Sequence, residues 1–375
     1  GVARTVALGT GIDTGKGTLT INADNTWSFL PANGLNNASG VNVSFTLSAK
    51  DGDNDTDSKT HTITVTDGSG PVVSGPNGGV ITLALDDQNL ANGNTSASPD
   101  FAQDAITFTA GSDAIASLKF GTDLSTLSTA AGLVWSRVSD TQIIGKIGAT
   151  TVVTLDLTAN AGNTSATVKA TLNSNYTGHT ALGDDLAVLG SVKVVATDTD
   201  GDTAQGTVNV TVSDDVPVVT LSGAETVVEG AAAITGVWNL AAGADGVTPA
   251  NFTISIDGGA AQQVVPGDAI VVAGKGTLTI NENQTWSFAP LGNLDNKDGV
   301  SLSFTLSAKD GDNDTSSATH TISVTDGSGP VVSGPNGGEI TLALDDQNLA
   351  NGSTPGNPDF AQDAITFTAG SDAIA

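Results

Sequence analysis

Long internal repeats constrain the fold of this chain more than any other feature of its sequence. Three segments each occur twice without change, and the two copies are always 259 residues apart, the offset between Phe45 and Phe304. The pairs are residues 45–56 with 304–315, 65–79 with 324–338, and 101–116 with 360–375. Because repetition at a fixed period is typical of a chain built from structural modules, we expect the two copies to fold alike.

A second, weaker repeat lies inside this unit. Residues 194–219 parallel residues 47–73, since both run from a strand through an acidic turn to another strand, an acidic linker, a proline and two valines. The unit therefore contains two related but different domains. The predicted domains are 1–70 (partial, second type), 71–215 (first type), 216–329 (second type) and 330–375 (partial, first type).

Apolar and polar residues alternate through the candidate strands. In residues 41–50, Val41, Val43, Phe45 and Leu47 alternate with polar side chains, the pattern of a strand with one buried face. The chain has 46 glycines and only 38% hydrophobic residues, which favours short strands and many turns. The sequence therefore predicts an all-β fold, a tandem array of antiparallel immunoglobulin-like β-sandwich domains joined by short acidic linkers.

The aromatic and histidine residues give little sign of catalysis. We expect Trp27 and Trp286, which are equivalent in the repeat, to fill domain cores. His61 and His320 share the strand parity of core residues, so we expect both to be buried and hydrogen-bonded. The sequence shows no Ser-His-Asp order, zinc-type spacing or phosphate-binding glycine loop, and we predict that the chain is not an enzyme.

Three short turns each carry three aspartates at alternate positions. Carboxylates this close repel one another unless a cation lies between them, and Ca²⁺ is the hard cation that oxygen clusters favour. A solvated polar turn explains any single loop equally well, but three matching copies favour calcium. The predicted ligands are Asp51, Asp53 and Asp55; Asp198, Asp200 and Asp202; and Asp310, Asp312 and Asp314.

These turns begin like EF-hand loops but do not continue like them. Thr56 and Thr203 stand where that motif needs glycine, and Thr62 and Asn209 stand where it needs glutamate. The remaining oxygen ligands must therefore come from elsewhere in the fold.

The linkers between domains are the expected source of those ligands. A strand over residues 56–66 spans roughly 30 Å, so Asp67 lies far from the acidic turn of its own domain and at the junction with the next. We therefore hypothesise that linker aspartates complete interdomain ion sites. On this hypothesis Asp67 joins Asp198, Asp200 and Asp202; Asp214 and Asp215 join Asp310, Asp312 and Asp314; and Asp326 and the turn at 51–55 have partners outside the printed sequence.

Other acidic residues are weaker candidates. The segment 86–89 (Asp-Asp-Gln-Asn) follows a predicted strand over 80–85, and Glu229 occupies a comparable early position in its domain. An ion site and a polar turn explain both equally well. We expect four further aspartates to be solvated loop residues, namely Asp184, Asp185, Asp295 and Asp298.

Composition excludes several classes of partner. With 12 basic against 40 acidic residues and a net charge of −28, the chain lacks the basic face that nucleic acids or anionic membranes require. It shows no membrane-spanning run of apolar residues and no signal-peptide pattern. Because it has no cysteine, it cannot use disulfides, and a bound metal is the expected substitute.

Residues 192–204 (VKVVATDTDGDTA) and 207–219 (TVNVTVSDDVPVV) resemble the tandem repeats of giant RTX adhesins, and residues 17–29 (GTLTINADNTWSF) are similar to their VCBS-type repeat. The resemblance implies calcium-rigidified extender domains of a secreted bacterial surface adhesin that acts in cell attachment and biofilm formation. It implies Ca²⁺ ligands among the aspartates of the acidic turns and linkers, and secretion by a type I system. Neighbouring repeats of the same chain would be the immediate partners.

Two other functions remain open at this stage. The threonine-rich faces, for example Thr60, Thr62, Thr64 and Thr66, suit a carbohydrate- or ice-binding module. Near-identical repeats also suit a self-assembling extracellular filament or surface-layer subunit that associates laterally.

Overall fold

The computed structural model describes residues 3–294 and 299–375. Asp295 and Asp298, which the sequence placed in a solvated loop, lie outside the described residues. The described part contains strands, turns and short 3₁₀ segments but no α-helix, and the predicted all-β fold class is confirmed. The chain forms two compact units, Gly1–Asp215 and Val216–Ala375.

The first 70 residues of the first unit form two small antiparallel sheets. One has the strand order β1-β2-β3, and the other is the long hairpin β4-β5. The alternation predicted for residues 41–50 is therefore that of a real strand. The strands are β1 (Gly11–Asp13), β2 (Gly17–Ile21), β3 (Trp27–Pro31), β4 (Val41–Lys50) and β5 (Thr56–Val65).

The rest of the first unit is a two-sheet sandwich. One sheet has the order β10-β11-β12-β13-β8-β6 and the other the order β7-β15-β14-β9. Apolar side chains alternate toward the core between them, as in β13, where every second residue is buried. The strands are β6 (Val72–Val73), β7 (Val80–Asp86), β8 (Phe101–Thr109), β9 (Ile115–Phe120), β10 (Leu133–Ser139), β11 (Gln142–Ile147), β12 (Thr150–Ala159), β13 (Ser165–Leu172), β14 (Leu186–Asp198) and β15 (Thr203–Ser213).

The second unit contains another sandwich and a short strand pair. Its two five-stranded sheets have the orders β16-β18-β23-β22-β21 and β17-β25-β24-β19-β20, and β26 pairs with β27. The strands are β16 (Val218–Gly223), β17 (Thr226–Val228), β18 (Ile234–Ala241), β19 (Val247–Ile256), β20 (Gln262–Gln263), β21 (Ala269–Val272), β22 (Gly276–Ile280), β23 (Thr285–Pro290), β24 (Val300–Asp310), β25 (Thr315–Thr325), β26 (Val331–Val332) and β27 (Phe367–Thr368).

Each sandwich contains one parallel strand pair in an otherwise antiparallel arrangement. Strand β7 runs parallel to β15 with Asp86 opposite Ser213, and β17 runs parallel to β25 with Val228 opposite Thr325. Parallel pairing makes β7 and β15 end on the same side of the first sandwich, and β17 and β25 on the same side of the second. The acidic residue after β7 or β17 therefore lies beside the acidic linker that follows β15 or β25.

Trp286 and His320, the second copies of the repeated tryptophan and histidine, are in the core, as predicted. Trp286 is fully buried, and its indole N–H donates to the Ser222 carbonyl at 2.9 Å. His320 is 8% exposed, lies 4.9 Å from the Trp286 ring and has Nε2 3.0 Å from the Ala224 carbonyl.

The prediction is wrong for the first copies of these two residues. Trp27 is 40% exposed and His61 is exposed as well. Strands β16 and β18 cover Trp286, whereas β3, which contains Trp27, pairs only with β2 among the described strands.

Candidate metal centres

The three acidic turns fold in the same way. In each turn the backbone N–H of the first aspartate donates to the carbonyl of the third, and the N–H of the third donates back to the carboxylate of the first. These two bonds measure 3.0 and 2.9 Å in turn 51–55, 3.0 and 2.8 Å in turn 198–202, and 3.1 and 2.7 Å in turn 310–314. The fourth residue, asparagine or glycine, has a φ between 83° and 106°, a conformation that these residue types adopt readily.

This closed turn gathers the three carboxylates. One oxygen from each of Asp198, Asp200 and Asp202 lies within 4.8 Å of the others, and the same holds for the aspartates at 51, 53 and 55. The turn at 51–55 is exposed throughout. Asp198, by contrast, is only 4% exposed, so its turn is part of a more enclosed site.

The linker aspartate meets the acidic turn of the following sandwich. One carboxylate oxygen from each of Asp67, Asp113 and Asp200 lies within 4.8 Å of the other two. Asp67 follows β5, Asp200 lies at the tip of the β14–β15 hairpin, and Asp113 lies just before β9. The structure thus brings Asp67 to the turn that the strand-length argument selected, and adds Asp113 to the group.

The backbone of the linker is fixed against this group. Ser112 donates to the Ser69 carbonyl from its backbone N–H at 2.9 Å and from its hydroxyl at 3.2 Å. A methyl group on Gly111 would lie 1.6 Å from that same carbonyl oxygen, so only glycine allows this approach. A methyl group on Gly70 would lie 2.7 Å from the Asp202 side chain, which shows how closely the linker passes the acidic turn.

A second contact joins residues 1–70 to the same turn. The Asn36 side-chain amide donates to the Thr199 carbonyl at 3.4 Å. Two separate segments before residue 71 therefore reach the tip of the β14–β15 hairpin.

Three carboxylate oxygens in this group have no hydrogen-bond donor. Both carboxylate oxygens of Asp200 and Oδ1 of Asp113 are buried without a hydrogen-bond partner. The adjacent Asp198 carboxylate, burial and the Asp67 carboxylate raise the pKa of Asp200 to about 6. A buried carboxylate without a donor is costly, and a cation is the partner that would satisfy several of them at once.

The donor set fits Ca²⁺. All five side chains around this point (Asp67, Asp113, Asp198, Asp200 and Asp202) offer carboxylate oxygen, and none offers nitrogen or sulfur. Ca²⁺ takes six to eight oxygen ligands at 2.3–2.6 Å, and it accepts irregular geometry. These residues would hold the ion, and the ion would supply positive charge between the linker and the turn.

The second unit repeats part of this arrangement. Burial, together with the Asp312 carboxylate, raises the pKa of Asp310 to about 7. Asp245 lies beside the turn, since a methyl group on Gly311 would lie 3.0 Å from the Asp245 carbonyl oxygen. Asp314 is 2% exposed. Thus a fourth aspartate accompanies the turn at 310–314, as Asp113 accompanies the turn at 198–202.

Asp113 and Asp245 did not stand out in the sequence, although they occupy equivalent places. The first aspartate of each turn pairs across the sheet with an apolar residue: Asp198 with Ile115, and Asp310 with Val247. Asp113 and Asp245 each lie two residues before that apolar residue. One signal was available for Asp113. The segment Gly-Ser-Asp at 111–113 recurs at 370–372, within the exact repeat.

Linker residue Asp326 lies next to Glu229, one of the weaker candidates. Glu229 accepts the backbone N–H of Leu294 at 2.8 Å and that of Gly327 at 3.3 Å. Hydrogen bonds from Ser371 and from these two amides keep the pKa of Glu229 below its ordinary value, against the effect of burial. The parallel β17–β25 pair thus places Glu229, the residue after β17, beside the linker that follows β25.

In the first sandwich, the end at which β7 and β15 finish contains a buried histidine, His179. Asp87 and Asp214 are 0% exposed, and His179 lies between them. His179 Nε2 is 3.4 Å from Asp87 Oδ2 and 4.0 Å from Asp214 Oδ1, while Nδ1 is 2.5 Å from Asp185 Oδ1. Asp185 is therefore not a purely solvated loop residue, as the sequence suggested, because it is drawn into contact with the imidazole.

Linker residue Asp215 has a separate role in the first unit. It is 0% exposed, and its carboxylate accepts the backbone N–H of Asn94 at 3.0 Å and the Asn94 side-chain amide at 2.7 Å. The hypothesis that Asp214 and Asp215 also serve the turn at 310–314 stays a prediction.

Comparison with known proteins gives one family and several distant structural neighbours. A family model described as a bacterial Ig domain matches residues 3–66 and 214–325. No curated protein matches the chain. In the described part of the chain, no helix is long and apolar enough to cross a membrane.

The structural neighbours are remote. A protocadherin fragment, PcdhgB3 EC1-4, is 15% identical with a TM-score of 0.29, and the match covers 83% of this chain and 64% of the fragment. The titin domains z1z2 are 12% identical with a TM-score of 0.34, and the match covers 70% of this chain and 98% of the titin fragment. The human desmocollin-1 ectodomain is 13% identical with a TM-score of 0.22, and the match covers 84% of this chain and 50% of the ectodomain. The chain thus spans less than two thirds of the PcdhgB3 fragment and of the desmocollin-1 ectodomain. The two matched stretches, 3–66 and 214–325, are consistent with bacterial immunoglobulin-like repeats.

Proposed function

We propose that this chain is a calcium-stabilised extender segment of a large secreted bacterial surface adhesin, and that it is not an enzyme. Its tandem domains would hold a distal binding domain away from the cell. The observation that carries the proposal is the convergence of linker Asp67 with Asp113 and Asp200 of the following sandwich, with carboxylate oxygens within 4.8 Å.

An ion at this point would act as a joint. Without a cation, repulsion among the carboxylates drives the linker away from the turn. With Ca²⁺ bound, the same charges pull the linker and the turn together, and the binding free energy adds to the stability of the folded arrangement.

The adhesin assignment rests on the sequence resemblance together with this geometry. The acidic turns and linkers are the residues through which RTX adhesin repeats are expected to bind Ca²⁺. The bacterial Ig domain match supports the same setting. Secretion by a type I system, location at the cell surface and a role in biofilm formation follow from the resemblance and are part of the proposal.

The threonine-rich face supports the extender function better than ligand binding. Thr60 and Thr46 hydroxyls lie 2.8 Å apart, Thr62 pairs with Ser44 at 2.8 Å, and Thr64 donates to Asn42 at 2.8 Å. These groups are hydrogen-bonded across the strand pair, so part of their capacity to bind a sugar or ice surface is used within the sheet.

Small-angle scattering and thermal unfolding, each with Ca²⁺ and with chelator, test the proposal. Ca²⁺ should raise the melting temperature and narrow the range of conformations that the distribution of distances within the molecule reports. Mg²⁺ should have a much smaller effect, because it demands octahedral geometry and keeps its water. Unchanged melting temperature and scattering after chelation would show that the joint does not depend on calcium.

A further inference from the structure

The imidazole of His179 is enclosed by carboxylates at one end of the first sandwich. Its side chain has no exposed surface, and Nε2 has no hydrogen-bond partner. The atoms nearest to Nε2 in this group are Asp87 Oδ2 at 3.4 Å and Asp214 Oδ1 at 4.0 Å, and both of those side chains are fully buried. One ligand atom from each of the three residues lies within 4.8 Å of the other two.

Imidazole changes the kind of ion that suits this place. Ca²⁺ and Mg²⁺ bind oxygen ligands and are poorly served by a ring nitrogen, whereas Zn²⁺ binds histidine nitrogen and carboxylate oxygen together. The turns at 51–55 and 198–202 and the group of Asp67, Asp113 and Asp200 consist of aspartates alone. His179 therefore marks this cluster as chemically different from the acidic turns.

We propose that Asp87, His179 and Asp214 form a site for a Zn²⁺-like divalent transition metal, distinct from the calcium sites proposed above. With bonds of about 2.0–2.1 Å, tetrahedral ligands lie about 3.4 Å apart. The distance from Nε2 to Asp87 Oδ2 already has this value, and Asp214 Oδ1, at 4.0 Å from Nε2, must move closer. The three protein ligands leave a fourth position for water.

The surroundings of His179 support its role as a ligand. A metal-binding histidine commonly uses its second ring nitrogen to donate to a carboxylate, which fixes the orientation of the ring. Nδ1 of His179 makes this contact with Asp185 Oδ1 at 2.5 Å, and Asp185 is itself held by the backbone N–H groups of Thr180 and Ala181 at 3.4 and 3.1 Å. Asp87 is held by the Tyr176 backbone N–H at 3.1 Å.

The ion would tie three separate segments together. Asp87 follows strand β7, His179 lies between β13 and β14, and Asp214 follows β15. Metal at this point would anchor the start of the linker to the sandwich from which it departs. The inference does not depend on calcium binding at Asp67, Asp113 and Asp200.

Isothermal titration of Zn²⁺ into the full chain in saturating Ca²⁺ tests the proposal, because Ca²⁺ fills the oxygen-only sites beforehand. The wild-type chain and the matched control His61→Gln should each bind one more Zn²⁺ per chain than the His179→Gln variant binds. Asp185→Asn should weaken that binding about 10–100-fold while keeping the three ligands. Circular dichroism of each variant verifies that the sandwich is folded.

Co²⁺ gives a readout that needs no variant. Bound to the wild-type chain, it should produce the intense visible absorption of a four-coordinate site, and added Zn²⁺ should abolish it. Equal Zn²⁺ binding by wild type and His179→Gln, or no Co²⁺ spectrum displaced by Zn²⁺, would overturn the proposal and leave His179 as an internal positive charge among the aspartates.

Discussion

Asp67 and Asp200 lie 133 residues apart in the sequence, yet one carboxylate oxygen of each comes within 4.8 Å of the other and of Asp113. Strand length explains why Asp67 cannot serve the turn of its own hairpin, since β5 separates the two by ten residues. The β9–β14 register explains Asp113, because Ile115 is paired with Asp198. The candidate calcium site is thus a product of strand register more than of any local motif.

Replacing Asp113 with asparagine should weaken calcium binding to this site by about tenfold or more, because the number of charged oxygen ligands sets the affinity of such sites. The same variant should lose part of the rise in melting temperature that Ca²⁺ produces. Calorimetric titration and thermal unfolding measure both effects. Asp57→Asn, at an exposed position of β5, is the matched control and should behave like wild type; equal affinities for both variants would remove Asp113 from the site.

Replacing Gly111 with alanine should destabilise the docked linker by about 2 kcal/mol, since the new methyl group meets the Ser69 carbonyl at 1.6 Å and the backbone must shift. Gly52→Ala is the control, because nothing lies within 4 Å of a methyl group there. Urea unfolding compares the two. A Gly111→Ala chain as stable as Gly52→Ala would show that the linker isn't held against residues 111–113.

In chelator, the chain should become less stable as the pH rises from about 5 to about 7. The pKa values of Asp200 and Asp310 are raised to about 6 and about 7, above the ordinary aspartate value of 3.8. In that window the folded state binds more protons than the unfolded state, so the free energy of unfolding falls with rising pH. Urea unfolding at several pH values measures the slope.

Calcium should reverse this dependence, because binding requires ionised carboxylates. In chelator, the free energy of unfolding of the double variant Asp200→Asn/Asp310→Asn should depend less on pH than that of the wild type. If the double variant keeps the full wild-type slope, the pH dependence arises from other groups.

Replacing Trp286 with alanine should cost about 3–5 kcal/mol, because the residue is fully buried and leaves a large cavity. Trp27→Ala should cost clearly less, since Trp27 is 40% exposed. Thermal unfolding of the two variants provides the comparison, and equal losses would contradict the difference in burial.

Much of the fold could be predicted because strand periodicity and exact repeats are local properties of the sequence. The alternation at 41–50 is a strand, and the acidic segments are hairpin turns. Burial of a repeated residue is not local, however. Trp27 and Trp286 have nearly the same neighbours in sequence, and only the presence of strands β16 and β18 covers the second.

The candidate sites were predictable only where several aspartates are close in sequence. Asp113 and Asp245 are single acidic residues in ordinary loops, and register alone brings them to the turns. His179 was invisible for a similar reason, since its partners Asp87 and Asp214 meet through the parallel β7–β15 pair. Asp113 and Asp245 would have been found by a search for acidic residues just before the strand that pairs with each acidic hairpin.

The most direct test of the account is the distance between residues 1–70 and the following sandwich, with and without calcium. The chain has no cysteine, so Lys59→Cys and Ala161→Cys, both at exposed positions, allow two spin labels without background. Pulsed electron resonance should give a narrow distance distribution in Ca²⁺ and a broad one in chelator, and the added substitution Asp113→Asn should broaden the calcium form. A distribution of the same width in calcium and in chelator would contradict the claim that Ca²⁺ fixes the linker.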